Sequence, residues 1–223
     1  MATKTKSTRV DSAYDRLKTD ILESDLPPGF QAPEPDIAER LGMSRTPVRE
    51  ALIRLEAAGL VQLVPRRGAK VLALSLDDML EICDILLVLE PAALSNMAGR
   101  TVNSDALDVL EAIIGDLERA CAEGDLDAWS IADEKFHRKL LSMSGNRRLA
   151  EFAGQLMDQL HRGRGVLLRM QKEPVFSAQD HRDLLAAILS GEADVVAERA
   201  RKKQQHIRET LENTFKACRL TYV

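Results

Sequence analysis

Ser44-Arg45-Thr46-Pro47-Val48-Arg49-Glu50-Ala51-Leu52-Ile53-Arg54-Leu55 decides the fold of the first third of the chain. Ser44 is a hydroxyl residue where a helix N-cap is wanted, and Pro47 falls in the first turn, where a missing N–H costs nothing. Val48, Ala51, Leu52, Leu55 and Ala58 repeat at helical spacing and predict one buried stripe, closed by Gly59. Upstream, Ile37, Ala38 and Leu41 give a short helix an inner face, with Gly42 as its stop. Further back, Val10, Ala13, Leu17, Ile21 and Leu22 predict a first helix, ended by Leu26-Pro27-Pro28-Gly29. Downstream, Leu60–Val64 and Ala69–Leu74 read as two short strands joined by Pro65-Arg66-Arg67-Gly68. Three helices and a hairpin describe a winged helix-turn-helix over residues 1–75.

That unit has the chemistry of a duplex reader. Arg45 and Arg49 are four residues apart and project from one face near a helix N-terminus, where base edges are met. Ser44, Thr46 and the first free N–H groups suit phosphate oxygens. Arg66 and Arg67 occupy the tip of the wing, and Gly68 lets backbone come close. Arg54 lies on the opposite side of the helix and is expected to pair with Glu50. Net charge agrees once it is counted by segment: the whole chain is −4, but residues 1–75 carry 12 Lys and Arg against 10 Asp and Glu. A basic island in an acidic protein is an electrostatic footprint for nucleic acid.

Composition removes other classes. The strongest apolar run, Ile85–Leu89, is five residues long, far short of the roughly 20 needed to span a bilayer. Met1–Arg9 is polar and basic, without the apolar core of a secretory signal. Cys83, Cys121 and Cys218 are odd in number and widely spaced, which fits a reducing cytoplasm rather than a disulfide framework.

Residues 76–223 form a second predicted domain, an all-α antiparallel helical bundle, so the fold class is mainly α. Ser75 followed by Asp77 and Asp78 marks its first helix start. Helices are expected over 76–98, 104–122, 126–144, 147–171, 178–190 and 192–216, punctuated by Gly124, Gly145, Pro174 and Gly191. Polar residues interrupt their apolar stripes. Asp133 and His137 share one helix face among Trp129, Phe136 and Leu140; His181 continues the line of Leu184, Leu185 and Ile188. Lys203 falls within Val196, Ala200, Ile207 and Leu211, with His206 one turn along. Oxygen and imidazole ligands from three facing helices suit a divalent cation such as zinc, nickel or manganese; an ordinary hydrogen-bonded core pair is the other reading of the same spacing.

Gly29, the run Ala38-Glu39-Arg40-Leu41-Gly42-Met43-Ser44-Arg45-Thr46-Pro47-Val48-Arg49-Glu50-Ala51-Leu52, then Leu55-Glu56, Gly59-Leu60-Val61 and Arg67-Gly68 resemble the GntR family of bacterial transcription regulators. Asp133-x3-His137, Ser144-Gly145-Asn146, and His181 with Gly191-Glu192 resemble the FCD effector domain of its FadR-type subgroup. The resemblance implies a metal held by one Asp and three His, and small carboxylates as effectors. Asp133, His137 and His181 match three ligand positions, but the fourth is Lys203, with His206 one turn late. Two further departures are Ala32-Pro33-Glu34-Pro35, which lacks the family's capping hydroxyl, and Leu86, where the subgroup often has an Arg four residues before the acid represented here by Glu90. Three arrangements follow: His206 substitutes as ligand, three ligands hold the metal weakly, or Lys203 replaces the cation's charge and clamps an effector carboxylate. Arg164 is a further candidate to line the effector pocket, as are Arg162 and Arg169.

These readings converge on a cytoplasmic, ligand-responsive regulator. A homodimer held by its helical domains would bind a palindromic double-stranded DNA operator, with a small carboxylate effector tuning affinity. The competing reading is a metal-assisted enzyme acting on a small organic acid, built on Asp133, His137 and His181. It lacks a paired general base, a nucleophile elbow or a phosphate loop.

Overall fold

The computed structural model describes residues 8–168, 177–218 and 222, with side chains described except over 162–168. The chain divides into two compact units, 1–74 and 75–223.

In the first unit, α1 (Arg9–Leu22), α2 (Glu34–Leu41) and α3 (Arg45–Ala57) pack with a small sheet of β1 (Gln31–Ala32), β2 (Val61–Val64) and β3 (Gly68–Val71). Leu17, Ile21, Ile37, Val48, Leu52, Leu55 and Leu60 form its core. All three helices are therefore amphipathic in the way their spacing predicts. Thr8 and Asp11 cap α1 reciprocally, each side chain bonding the other's backbone N–H. Gly42, at φ 65°, ends α2 in the left-handed conformation and turns the chain into α3. Ser44 holds the N-cap backbone position of α3, but its hydroxyl makes no cap hydrogen bond. Pro33 caps α2 equally without a side-chain bond, as the missing hydroxyl implied.

The sheet has the order β1-β3-β2 and both pairings are antiparallel, with Gln31 opposite Lys70 and Val61 opposite Val71. β1 escaped the sequence reading because two residues carry no alternation. The second wing strand is also shorter than expected, ending at Val71 rather than Leu74. Between the strands, Arg67 N–H donates to the Val64 carbonyl at 3.0 Å, and Arg66 sits at φ 65°, a conformation that disfavours side chains with a Cβ. Gly68, at φ 85°, has a different task from the one its sequence suggested. A Cβ there would lie 2.0 Å from the Ala32 carbonyl oxygen, so the glycine lets β1 close on the wing. Arg54 pairs with Asp11 at 2.8 Å and lies over the Tyr14 ring at 4.3 Å, tying α3 to α1 rather than bonding Glu50.

The second unit consists of α4 (Leu76–Ser95), α5 (Ser104–Glu123), α6 (Leu126–Met143), α7 (Arg147–Leu168), α8 (Ala178–Ser190) and α9 (Ala193–Cys218). Capping boxes at Ser75/Asp78 and Ser177/Asp180 start α4 and α8, and Gly124 and Gly191 stop α5 and α8. Leu94, Leu110, Phe136, Leu140, Leu184, Ile188, Val196 and Ala200 make its main core; Trp129, Leu117, Ala120, Ala132 and Ala178 form a smaller one. Leu86, the departure on α4, is fully buried. No described helix is long and apolar enough to cross a membrane.

Gly68→Ala should destabilise the first unit by about 2 kcal/mol or more, the sum of a strained φ and a backbone clash, read by denaturant unfolding. The hydroxyl of Thr8, and then Arg54, hold the Asp11 carboxyl down at about 2. A depressed folded pKa means its stabilisation is full above the ordinary value of 3.8 and disappears as pH falls through about 2. Asp11→Asn should accordingly unfold earlier than wild type at pH 6, with the difference closing in that acid window.

Candidate nucleic-acid interface and buried polar centre

Ser44, Arg45, Thr46 and Arg49 are all exposed at the start of α3, as are Arg66 and Arg67 on the wing. Arg49, Ile53, Arg66 and Gly68 line one groove of about 430 Å³, whose floor includes Pro33, Leu63 and Val64. Within this unit the fold therefore brings Arg49 of the helix and Arg66 of the wing to one groove, with Glu34 also on its lining. An Arg66 kept in a left-handed turn where glycine would be relaxed is the kind of local strain that marks functional positions.

Six polar side chains of the second unit meet where an apolar core would be expected: Glu90, Asp133, His137, His181, Lys203 and Gln204, all buried. The i,i+4 spacing on α6 puts Asp133 and His137 on one face, and α8 delivers His181 opposite. His181 Nδ1 lies 2.9 Å from the Ser177 carbonyl oxygen, an acceptor only, so Nδ1 carries the proton. Its Nε2 then faces Asp133 Oδ1 at 3.0 Å. His137 has Nε2 3.6 Å from the same Asp133 oxygen and Nδ1 2.8 Å from Glu90 Oε1. Among the described residues, neither His137 nitrogen completes a hydrogen bond of normal geometry. Phe136 packs against both imidazoles in T-shaped contacts, with ring centroids 5.3 Å from His137 and 5.1 Å from His181.

Glu90 has its own set of partners. Lys203 Nζ lies 3.3 Å from Oε1, and Gln204 Nε2 donates to Oε2. Burial alone would raise the Glu90 pKa; the charge of the Lys203 ammonium outweighs it, with the Gln204 amide donating as well, and holds the carboxyl well below the usual carboxylate range. Burial, and next the Lys203 ammonium, push His137 the other way, toward its neutral form. A cavity of about 150 Å³ opens beside this centre, lined by His137, His181, Leu184 and Lys203, with Arg199, Lys202 and Asp180 also on its wall.

The donor set fits a divalent cation. One oxygen and two imidazole nitrogens, from Asp133, His137 and His181, lie within 4.8 Å of one another. Each imidazole turns its far nitrogen toward an acceptor, His181 toward the Ser177 carbonyl and His137 toward Glu90, which is how a ligating histidine is held in orientation. The structure does not bring His206 into this group: it is exposed on α9, because three residues beyond buried Lys203 the helix has turned it outward. Arg164 lies where side chains are outside the described residues, as does Arg162; Arg169 lies outside them altogether. Glu90, known from the sequence only as the acid four residues after Leu86, and Gln204 are the two members that the sequence did not place in this centre. A single acid closing the apolar run Ile85–Leu89 was the available signal.

The fold is that of a winged helix-turn-helix DNA-binding regulator carrying a second, all-helical domain. Residues 9–71 match the gntR family of bacterial regulatory proteins, and residues 81–209 match the FCD domain. The chain belongs to the GntR family of bacterial transcriptional regulators, in the group whose second domain is FCD. It is 41% identical over 140 residues to an HTH-type transcriptional regulator from the TAR-I ttuE-ttuC' intergenic region of Agrobacterium vitis, covering 60% of this chain and 80% of that one. It is 28% identical over 200 residues to the HTH-type transcriptional repressor RspR of Escherichia coli, covering 90% and 86%. Among solved structures, the fold is similar to that of E. coli McbR/YncC, with a TM-score of 0.82 and 23% identity over 94% of this chain and 100% of that one. A GntR regulator from Rhodococcus sp. RHA1 gives a TM-score of 0.76 at 21% identity, covering 92% and 98%.

Lys203→Met leaves the Glu90 carboxylate buried without its cation, and should cost about 3–5 kcal/mol in denaturant unfolding. Glu90→Gln/Lys203→Met removes the stranded charge and should recover most of that loss.

Proposed function

We propose that the protein is a cytoplasmic homodimer that binds a two-fold symmetric DNA operator and changes its affinity when a small carboxylate occupies the cavity of the helical unit. The observation that carries this reading is the pairing, in one chain, of an arginine-bearing helix-and-wing groove with a buried ligand cavity in the adjoining domain. Arg45 and Arg49 would supply base contacts. Ser44, whose hydroxyl is not used in capping, and Thr46 would meet phosphates, with Arg66 and Arg67 on the flanking groove. Gly68 contributes by shaping the wing. Ile85 and Val88, 41% and 68% exposed on α4, support a dimer through the helical unit, since an apolar stripe is left on its outside.

Asp133, His137 and His181 would hold a divalent cation such as zinc, nickel or manganese. Bound there, such an ion supplies a positive charge to which a carboxylate effector is drawn. The protein's own residues do the rest. Ser177 and Glu90 orient the two imidazoles, Phe136 packs against both, and Lys203 offers N–H donors at the cavity wall. By linkage, an effector that fits one arrangement of the helical unit better shifts the population toward it and thereby alters DNA affinity.

Fluorescence anisotropy with a duplex from the protein's own upstream region and a scrambled control tests the reading. Arg49→Ala should weaken binding to the specific duplex by about 1–3 kcal/mol and relax selectivity. Equal losses on both duplexes would assign Arg49 to phosphate contact alone. Absence of any preference by the wild type, with and without candidate carboxylates, would overturn the regulator reading for this DNA.

A further inference from the structure

Lys203 is the buried cation of the cavity. Arg199 and Lys202 sit near its mouth and already hold carboxylates, Asp183 at 3.3 Å and Glu198 at 3.5 Å. Lys203 is 8% exposed, and among the described residues its ammonium has one close acceptor, Glu90 Oε1. An ammonium has three N–H donors, so two are left for something in the cavity. Glu90 does not belong to Lys203 alone: the same Oε1 is 2.8 Å from His137, and Oε2 accepts from Gln204. The ammonium and a metal-ligating imidazole thus share one carboxylate oxygen.

We propose that Lys203 makes divalent-metal binding at Asp133, His137 and His181 conditional on an anionic co-ligand. The inference rests on the metal reading given above and concerns how that same site is regulated. Asp133 and Glu90 bring two negative charges to the centre; Lys203 and a dication bring three positive ones. The surplus is concentrated in a buried, weakly screened site, where like charges repel strongly. Water entering the cavity cannot cancel it. A small carboxylate accepting from the spare donors of Lys203 does, and its own affinity rises equally when metal is present, because coupling between two ligands is reciprocal. A neutral molecule of the same shape leaves the surplus in place. The site therefore reads two conditions together, metal and acid, and responds weakly to either one alone.

Equilibrium dialysis of the full chain, stripped of metal, against Mn²⁺ at a buffered free concentration tests this. Malonate serves as the anionic probe and malonamide as its neutral counterpart. Wild type should retain Mn²⁺ about tenfold more tightly with malonate than with malonamide, within the usual range of coupling between sites. Lys203→Met removes the ammonium but keeps Glu90 beside His137, so that the centre is neutral once metal is bound; it should bind Mn²⁺ more tightly than wild type in malonamide, with a malonate effect under about twofold. Lys203→Arg keeps the charge and should keep the malonate dependence. Circular dichroism confirms that each variant retains its helix content. Mn²⁺ bound through Asp133, shown by its loss in Asp133→Ala, but equally in both probes, overturns the inference and leaves the metal reading intact. Undiminished malonate dependence in Lys203→Met also overturns it. If wild type retains no more Mn²⁺ than Asp133→Ala under any condition, the metal reading falls and this inference with it.

Discussion

A carboxylate removed almost wholly from water must be matched by donors that are equally buried, and Glu90 is such a group. Its partners come from far along the chain: His137 from α6, Lys203 and Gln204 from α9. No local segment can satisfy it, so the first, third and last helices of the bundle must be assembled before this charge is compensated. The apolar clusters around Phe136 and Trp129 supply the bulk of the burial, but apolar packing is non-directional and alone would tolerate small shifts of one helix against another. The shared oxygen of Glu90 does not, since each displaced partner would leave a charge or a lone pair alone in a medium of low dielectric.

The same demand shapes the chemistry next to it. Because Glu90 attracts the Nδ1 side of His137, the opposite nitrogen is turned toward Asp133; because the Ser177 carbonyl does the same for His181, both imidazoles face one oxygen. The polar centre is thus built outward from groups that would never touch a metal or an effector. In the first unit the functional surface is also set by hidden contacts. Gly68 meets the Ala32 backbone, and Arg54 joins Asp11 and Tyr14, so the wing and the second and third helices are fixed from behind while Arg45, Arg49 and Arg66 stay exposed.

What the sequence disclosed was whatever depends on neighbours a few residues away. The bounds of α5, α6 and α8 follow closely from Asn103, Asp125, Ser177 and the glycines after them, because capping is a local interaction. Asp133 and His137 were legible as a pair by their spacing, and His181 by its place in an apolar stripe. Long-range pairing was not legible. Arg54 has an obvious partner four residues away and uses a different one 43 residues back. Glu90 and Lys203 are 113 residues apart, and nothing in either neighbourhood announces the other. His206 failed for a geometric reason: one turn is 3.6 residues, and a three-residue step from Lys203 carries a side chain out of a narrow buried stripe. β1 is too short for any periodicity to register.

Trp129, the only tryptophan in the chain, lies fully buried on α6 one turn before Asp133, and its indole N–H has no hydrogen-bond partner among the described residues. An indole in dry surroundings emits at short wavelength, and its quantum yield responds to charges and paramagnetic ions nearby. The molecule consequently carries its own spectroscopic reporter beside the polar centre, so that occupancy there can be followed by ultraviolet emission without attaching a dye.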